Sequence, residues 1–230
     1  MIAESKVLIK GLPTPKAASL VTPDTPIELM PDDKRWVSRG AHKLLAALEA
    51  FPVVLTDKTV LDVGSSTGGF TEVALDAGAT RVVALDVGRG QLHDSLKRDA
   101  RVTSLEKTNF RLTDAREIGG PFPVIVADLS FISLCAVAQR LAEAADNGAD
   151  LILLIKPQFE AGKKQVPRGG VVRDQQVREE SVRKVIVCTE TVGLGARGLI
   201  KSPIEGGDGN VEYLLWLRKG EESVPLEVPA

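Results

Sequence analysis

The sequence is poor in cysteine, histidine and aromatic residues, and each shortage limits the kinds of site or core that the protein can have. Two histidines and two cysteines, at none of the usual ligand spacings, exclude a zinc site. Cys135 and Cys188 lie in apolar helical patterns with no partner spacing, so we interpret both as core thiols in a reducing compartment. Aromatic residues make up only 4% of the chain, which predicts an aliphatic core.

Long apolar runs and a strong net charge are also missing. No apolar run reaches the length of a membrane-spanning helix and no signal peptide opens the chain, so we expect a cytoplasmic protein with no membrane partner. The formal net charge of −2 counts mildly against nucleic-acid binding, although local basic patches can still exist. With 230 residues, 43% of them hydrophobic, the chain has room for one α/β domain and a small appendage.

The stretch Val60–Phe70 has the pattern of a buried strand, a tight glycine loop and the start of a helix. Glycine lets the backbone approach a ligand closely, and free N–H groups at a helix start favour polar or anionic groups. Asp62 accepts hydrogen bonds there, which suits amine, amide or hydroxyl donors of a nucleoside cofactor. A strand-to-helix turn without a ligand would show the same pattern, and the spacing does not match the dinucleotide fingerprint Gly-x-Gly-x-x-Gly.

Apolar stretches with strand and helix spacing alternate along the rest of the chain. This alternation predicts an α/β fold with a parallel, doubly wound sheet, whose ligands bind outside the carboxyl ends of the strands. Asp86, about 20 residues past the glycine loop, is placed to accept both hydroxyls of a ribose. The ionisable residues that end predicted strands, and so converge on one rim, are Asp62, Asp86, Asp128 and Lys156. The predicted strands are 59–63, 81–86, 102–105, 124–127, 151–155, 198–201 and 211–217, and the predicted helices begin at 38, 69, 90, 134 and 175.

Residues from both ends of the chain could complete this rim. Three cations crowd the first turn of a helix predicted to be capped by Ser38, where each opposes the helix dipole at a cost of about 0.3–1 kcal/mol. A carboxylate or a phosphate should offset them. Lys43 and Glu212, near the last predicted strand, could complete the rim from opposite ends of the chain. A lysine beside carboxylates stays protonated, whereas a partly desolvated lysine beside another lysine has a lowered pKa. The second situation would suit Lys156 as a general base if Lys43 lay nearby. The three cations are Arg39, His42 and Lys43.

Basic residues also occur in two irregular segments. Residues 1–33 contain two possible short strands and five prolines, and their lysines either touch phosphate or form a solvated arm. The glycine-containing loop 159–174 carries a second basic group. The tail 219–230 is predicted to be loose. The lysines of the first segment are Lys6, Lys10 and Lys16, and the loop residues are Lys163, Lys164, Arg168 and Arg173.

Five motifs carry a resemblance to a known family. They are Ser38-Arg39-Gly40, Leu61-Asp62-Val63-Gly64, Ala127-Asp128-Leu129-Ser130-Phe131-Ile132-Ser133, Lys156-Pro157-Gln158-Phe159-Glu160 and Gly169-Gly170-Val171-Val172-Arg173-Asp174. Together they closely resemble the TlyA (haemolysin A-like) family, which belongs to the FtsJ-type ribose 2′-O-methyltransferases. The resemblance covers about residues 34–218. The third and fourth motifs are specific to the family, whereas the glycine loop is common to most methyltransferases that use S-adenosylmethionine (AdoMet).

The resemblance implies a seven-stranded, mostly parallel Rossmann-like methyltransferase sheet and a catalytic Lys-Asp-Lys-Glu tetrad. In this role Lys156 takes the proton from a ribose 2′-hydroxyl, Lys43 helps to hold that hydroxyl, and the two carboxylates orient the lysines. No metal is needed. The tetrad residues are Lys43, Asp128, Lys156 and Glu212.

The family match also implies a cofactor and a partner. The cofactor is AdoMet, and the partner is ribosomal RNA or a ribosomal subunit, whose phosphates give salt-sensitive contacts. Residues implied to bind AdoMet are Asp62, Gly64, Ser65, Gly68, Asp86, Val87 and Asp128. Residues implied to contact RNA are Arg39, Lys163, Lys164, Arg168 and Arg173.

The resemblance divides the chain into three parts, and the sequence departs from the family pattern at two places. Residues 1–33 look like the second, strand-rich half of an alpha-L RNA-binding module, residues 34–218 like the methyltransferase domain, and residues 219–230 like a tail. Ala41-His42 stands where the family usually has Gly-Leu, and Arg89 stands where an aromatic residue is frequent.

Other functions fit parts of the same pattern. An NAD(P)-dependent dehydrogenase would also use Asp86, but the missing third glycine and the pair Asp128 and Lys156 argue against it. A catalytically silent RNA-binding or ribosome-assembly protein would not need the tetrad. A pore-forming haemolysin would need membrane-spanning segments or a cationic amphipathic helix, which the sequence lacks.

Overall fold

A computed structural model describes residues 36–162 and 164–230, the backbone of residues 7–9 and 27–29, and the isolated positions 19, 21, 22 and 25. The strands at 7–9 and 27–29 pair antiparallel, as the apolar stretches there predicted. Lys6, Lys10, Lys16 and Lys163 lie outside the described residues. In the part of the chain that the structure describes, no helix is both long and apolar enough to cross a membrane.

The main sheet has seven strands in the order β5-β4-β3-β6-β7-β9-β8. The five strands from β5 to β7 run parallel, and β9 runs antiparallel to both β7 and β8. This is the mostly parallel α/β sheet predicted from the sequence. Following the short strands β1 (Val7–Ile9) and β2 (Ile27–Leu29), the strands are β3 (Thr59–Val63), β4 (Arg81–Leu85), β5 (Val102–Leu105), β6 (Phe122–Ala127), β7 (Ala145–Ile155), β8 (Leu194–Lys201) and β9 (Tyr213–Lys219).

Helices cover both faces of this sheet, because side chains alternate along each strand and both faces are apolar. Even positions such as Val82, Val124 and Ile152 pack against α1 and α2, whereas odd positions such as Ile125 and Leu153 pack against α4 and α6. The helices are α1 (Ala41–Ala50), α2 (Gly69–Asp76), α3 (Asp94–Lys97), α4 (Ala138–Ala144), α5 (Pro157–Glu160) and α6 (Gln175–Glu190), with 3₁₀ turns at Phe110–Leu112, Ala115–Ile118 and Leu134–Ala136.

Two predicted helices begin or extend differently in the structure. Helix α1 starts at Ala41 with Gly40 as its N-cap and no side-chain cap, so the capping role predicted for Ser38 is wrong. The stretch 90–99, predicted as a full helix, forms one turn, Asp94–Lys97, capped by the His93 side chain. Its apolar spacing reflects two leucines, Leu92 and Leu96, that pack against the sheet layer from a mostly irregular segment.

The cysteine interpretation is also wrong. Cys135, in the 3₁₀ turn after β6, is bonded to Cys188 on α6, with their Cα atoms 5.6 Å apart. The two residues are 53 positions apart, and only the packing of this turn against α6 brings them together. Spacing along the chain therefore carried no signal of the pairing.

The C-terminal tail is ordered against the domain instead of loose. Val224 donates a backbone hydrogen bond to Ala196 on β8, and the Ser223 hydroxyl accepts one from Ala196. Leu226 and Val228 pack on the core. These two apolar side chains are separated by one residue, as in an extended segment with one buried side. A pattern of only two residues is too short to predict such a segment.

Candidate functional site

The glycine loop brings β3 into direct contact with the end of β6. Gly64 has a positive φ of 83°, and a Cβ at this position would lie 2.6 Å from the carbonyl oxygen of Asp128. Only glycine allows both that backbone conformation and that approach. The loop after β3 and the first residue after β6 are consequently held side by side at the carboxyl edge of the sheet.

A second close approach brings the start of α1 to the same edge. A Cβ on Gly69, at the start of α2, would lie 2.9 Å from the backbone nitrogen of Ala41 and would overlap the Ser38 side chain. The backbone N–H of Val37 also donates a 2.6 Å hydrogen bond to Glu72 on α2. These contacts fix α1 so that Lys43, two residues into the helix, points to the sheet edge.

The four tetrad residues form two ion pairs at this edge. Lys43 Nζ lies 2.5 Å from Glu212 Oε2, and both side chains are almost completely buried. Lys156 Nζ lies 2.5 Å from Asp128 Oδ1 and donates a 2.8 Å hydrogen bond to Ser130 Oγ. The strand order that places β6, β7 and β9 next to one another brings Asp128, Lys156 and Glu212 together, and α1 adds Lys43.

Electrostatic coupling joins the two pairs into one cluster. Burial raises the pKa of Glu212 above its ordinary value, whereas the charges of Lys43 and Lys156 lower it and Asp128 raises it. The carboxylate that pairs with Lys43 in the first turn of α1 is therefore Glu212. The cluster places two lysine amino groups against two carboxyl groups, and such pairing compensates for the loss of solvation of buried polar groups.

Asp86 stabilises the glycine loop. Its Oδ2 accepts the backbone N–H of Ser66 at 2.8 Å, and its Oδ1 accepts that of Gly88 at 2.6 Å. Each carboxylate oxygen can accept a further hydrogen bond. The residue thus ties β4 to the glycine loop and still has acceptor capacity for hydroxyl groups.

Asp62 is completely buried beneath the loop. Its Oδ2 accepts a 2.6 Å hydrogen bond from Thr71 Oγ1, and its Oδ1 has no hydrogen-bond partner among the described residues. Burial raises the pKa of Asp62 to about 7, and the hydrogen bond from Thr71 only partly opposes this effect. The sequence-based picture of an ordinary ionised acceptor is incomplete, because the carboxyl group is protonated over part of the neutral pH range.

Two cavities meet at this edge. One, of about 250 Å³, lies between the glycine loop, Lys43 and the segment 204–207. The other, of about 390 Å³, lies between Asp86 and the segment 129–132. Both are bordered by Gly64, Ser66 and Asp128. An elongated ligand could therefore occupy both, passing over the glycine loop with one end beside the tetrad.

The remaining predicted cofactor residues lie at different distances from these cavities. Ser65 borders the first and Val87, 70% exposed, borders the second. Gly68 borders neither; a Cβ there would collide with Leu96, so its glycine serves the packing of the loop.

The predicted RNA-contacting residues that the structure describes are exposed. Arg39 borders the first cavity. The loop with the other cations is attached next to Glu212, because buried Asn210 accepts a hydrogen bond from Val172 and donates one to Gly170. The exposed cations of that loop within the described residues are Lys164, Arg168 and Arg173.

Phe131 is a site residue that the sequence reasoning missed as a functional side chain. It is 90% exposed, has a positive φ of 63° and lies against Phe159 with ring centroids 5.1 Å apart. An exposed aromatic ring on a strained backbone is unfavourable unless it has a function. Its place in a chain with only 4% aromatic residues was the available signal.

Comparison with known proteins gives a consistent assignment. Residues 36–219 match the model of the FtsJ-like methyltransferase family. The 16S/23S rRNA (cytidine-2′-O)-methyltransferase TlyA of Mycobacterium tuberculosis is 51% identical over 95% of this chain and 82% of its own length. Hemolysin A of Brachyspira hyodysenteriae is 37% identical over 90% of this chain and 87% of its own length.

Solved structures agree with the fold. A structure from Lactococcus lactis is 42% identical, superimposes with a TM-score of 0.81 and covers 85% of this chain and 94% of that chain. The family match overturns the dehydrogenase alternative, which shared only the doubly wound sheet and the acidic residue after β4.

Proposed function

This chain belongs to the FtsJ-like methyltransferase family, and we propose that it transfers a methyl group from AdoMet to a ribose 2′-hydroxyl of ribosomal RNA, in the free RNA or in a ribosomal subunit. The observation that carries the proposal is the buried cluster of Lys43, Asp128, Lys156 and Glu212, in which Lys43 borders the first cavity and Asp128 borders both. The names of relatives such as the M. tuberculosis protein support the substrate class.

The residues present fit AdoMet. Gly64 borders both cavities, the completely buried Asp62 has an orphaned Oδ1 beneath the loop, and Asp86 has free acceptor capacity for ribose hydroxyls. We assign the adenosine end to the cavity beside Asp86 and the methionine end to the cavity beside Lys43. When bound, AdoMet supplies a methyl group on a sulfonium, which leaves as a neutral thioether when the methyl is transferred.

The tetrad then acts on the acceptor hydroxyl. In its neutral amine form, Lys156 accepts the 2′-hydroxyl proton on Nζ as the oxygen forms its bond to the methyl carbon, so charge does not accumulate on the ribose oxygen. The ammonium that results is paired with Asp128. Asp128 and Ser130 orient the Lys156 side chain. Lys43, held by Glu212, donates to the acceptor oxygen and keeps it in line with the methyl group, where correct alignment supplies much of the rate.

The exposed ring of Phe131 supports a single nucleotide as the acceptor. A ribose inside a base-paired stack cannot reach a recessed cluster, so the target nucleotide must be turned out of the RNA. An exposed aromatic ring next to the cluster offers a surface on which the turned-out base stacks. Arg39, Lys164, Arg168 and Arg173, together with Lys163, contact the surrounding phosphates.

We extend the proposal to the domain organisation. Residues 34–218 form the catalytic domain, and residues 1–33 contribute part of an alpha-L-type RNA-binding module. The antiparallel strand pair at 7–9 and 27–29 is compatible with this assignment. The basic loop, fastened next to Glu212 through Asn210, supplies further phosphate contacts from the catalytic domain.

The test is transfer of labelled methyl from AdoMet to purified small subunits, large subunits and naked ribosomal RNA, with the product mapped by resistance of the methylated linkage to alkaline hydrolysis. We expect stoichiometric labelling of a ribose in at least one of these substrates. Binding of AdoMet without transfer to any of them would favour a catalytically silent RNA-binding protein. Label in a base instead of a ribose would contradict the proposed chemistry.

A further inference from the structure

We propose that Glu160 is a positioning residue for methyl transfer, acting by fastening the loop that follows β6 to the segment that follows β7. The inference rests on the proposed function. The β6 loop carries Asp128, Ser130 and Phe131, and the β7 segment carries Lys156. The distance between these two segments therefore sets the position of the general base relative to its carboxylate and to the aromatic surface.

The Glu160 side chain is buried, and both hydrogen bonds that its carboxylate accepts come from the β6 loop. It is 3% exposed, at the end of α5. Its Oε1 accepts the backbone N–H of Leu134 at 2.7 Å, and its Oε2 accepts the hydroxyl of Ser133 at 2.6 Å. A buried carboxylate is retained only if such hydrogen bonds compensate for its desolvation.

Two further contacts join the same segments closer to the reacting groups. Phe159 packs against Phe131, and Lys156 donates to Ser130. The Lys156–Ser130 and Ser133–Glu160 hydrogen bonds are both part-buried, whereas the hydrogen bond from Leu134 to Glu160 is buried. We infer that Glu160 holds the two segments together, so the Phe159–Phe131 and Lys156–Ser130 contacts depend on it.

Glu160 and the β6 loop are also attached to α6. Lys184 Nζ donates a 2.7 Å hydrogen bond to the backbone oxygen of Glu160 and lies 3.9 Å from its carboxylate. The Cys135–Cys188 bond connects the turn that begins at Leu134 to the same helix. Helix α6 thus holds both segments, and Glu160 lies where the two segments contact each other.

Glu160 borders neither of the two site cavities, so it acts through the loop and not on a ligand. Leu129, Phe131 and Ile132 of the loop do border the Asp86 cavity. A displacement of about 1 Å at reacting groups can lower a rate by about 100-fold, because alignment of donor and acceptor is lost. The expected effect of releasing this loop is therefore on the chemical step.

The experiment compares Glu160→Ala, Glu160→Gln and the parent in single-turnover methyl transfer to ribosomal subunits at saturating AdoMet. The rate constant reports the alignment of folded molecules, whereas the amplitude reports how many molecules are folded. We expect Glu160→Ala to lower the rate constant by about 10-fold to 100-fold. Glu160→Gln should retain most of it, because an amide can accept from Leu134 and donate to the Ser133 hydroxyl.

Two more variants complete the test. Ser133→Ala removes one of the two contacts with little change in volume and should give an intermediate loss of rate constant, which keeps the proposal testable if Glu160→Ala does not fold. Glu143→Ala, an exposed glutamate on α4, is the matched control and should retain the parental rate constant. A loss confined to amplitude in Glu160→Ala or Ser133→Ala would reduce Glu160 to a purely structural residue and overturn the proposal.

Failure of the inference is distinct from failure of the proposed function. A parent protein that labels no ribose in any ribosomal substrate contradicts the proposed function. A parent that labels ribose while Glu160→Ala and Ser133→Ala keep its rate constant contradicts only the positioning role. An equal loss in Glu160→Gln and Glu160→Ala would also contradict it, since the negative charge, and not the position of the loop, would then be what matters.

Discussion

Charged side chains gather around cavities at both ends of the sheet, and the two ends differ in how deeply these charges are buried. The cavity at the amino end has about 560 Å³, more than either cavity at the carboxyl end. Its charged residues are exposed or half-buried, whereas Lys43, Lys156 and Glu212 at the carboxyl end are buried. The charged residues of the amino-end cavity are Asp114, Arg116, Arg140, Glu143, Asp146 and Lys219.

The partners of these charges differ as well. Arg140 pairs with Glu143 three residues away on the same helix, and Lys219 donates to a backbone oxygen. At the carboxyl end, Lys43 and Glu212 are separated by 169 positions. Buried ion pairs cost desolvation free energy and seldom add stability, so a fold that builds two of them at one cavity junction has a chemical use for them. Cavity volume alone would have selected the wrong end.

The largest expected effect comes from removing the proposed base. Lys156→Ala should lower methyl transfer by about 1,000-fold, the usual contribution of a general base, while AdoMet binding is retained. The matched change at the other end of the sheet, Lys219→Ala, should leave transfer near the parental rate. Transfer rates and calorimetric titration of AdoMet check both. Parental transfer by Lys156→Ala would contradict the mechanism and remove the distinction between the two ends.

The second prediction uses the buried carboxyl group of Asp62. Its pKa of about 7 exceeds the ordinary value of 3.8, so the folded protein keeps a proton that the unfolded chain has lost. The resulting stabilisation is complete below the unfolded value and is lost as pH rises through about 7, a loss of up to about 4 kcal/mol. Asp62→Asn cannot ionise and should not show this loss.

Thermal melting without AdoMet at about pH 6 and about pH 8.5 checks this expectation. Because the loss begins above pH 3.8 and is complete by about pH 8, the melting temperature of the variant should exceed that of the parent by more at the upper pH than at the lower pH. Asp146→Asn, which changes an exposed carboxylate at the amino end, should follow the pH dependence of the parent. A difference between Asp62→Asn and the parent that is independent of pH would contradict the assigned protonation.

A smaller effect is expected at the exposed aromatic ring. Phe131→Ala should weaken productive RNA binding by about 5-fold to 100-fold, since stacking of a base on an aromatic ring contributes about 1–3 kcal/mol. Phe131→Tyr should keep most of the activity. The measurement is transfer as a function of ribosomal-subunit concentration, with Val54→Ala as the control at another exposed apolar side chain. Equal losses in Phe131→Ala and Val54→Ala would show that surface apolarity in general, and not stacking, is responsible.

The smallest effect belongs to the amino-end ion pair. Arg140→Ala should change the free energy of unfolding by about 1 kcal/mol or less, because exposed pairs are weak and screened by salt. Denaturant unfolding measures this change, and methyl transfer should be unaffected. A large loss of activity would mean that the amino-end cavity has a function after all, and the comparison of the two ends would need to be revised.

Local sequence patterns were sufficient for most of the elements. The apolar runs that end in Asp86 and Asp128 predicted β4 and β6 to within two residues, and the rim they form is where the structure has it. The prediction of a helix at 90–99 failed because two buried leucines imitate a helical face. The prediction of a loose tail failed because the residues that the tail packs against are on β8, far from it in sequence.

What the sequence determined by itself was therefore the set of strands, the glycine loop and the ionisable residues at the strand ends, since these depend on side-chain periodicity and backbone conformation over a few residues. Only the tertiary structure decided the pairing of Lys43 with Glu212, the bond between Cys135 and Cys188 and the burial that shifts the pKa of Asp62. Each of these depends on strand order and layer packing, which bring together residues whose separation along the chain carries no information about their distance.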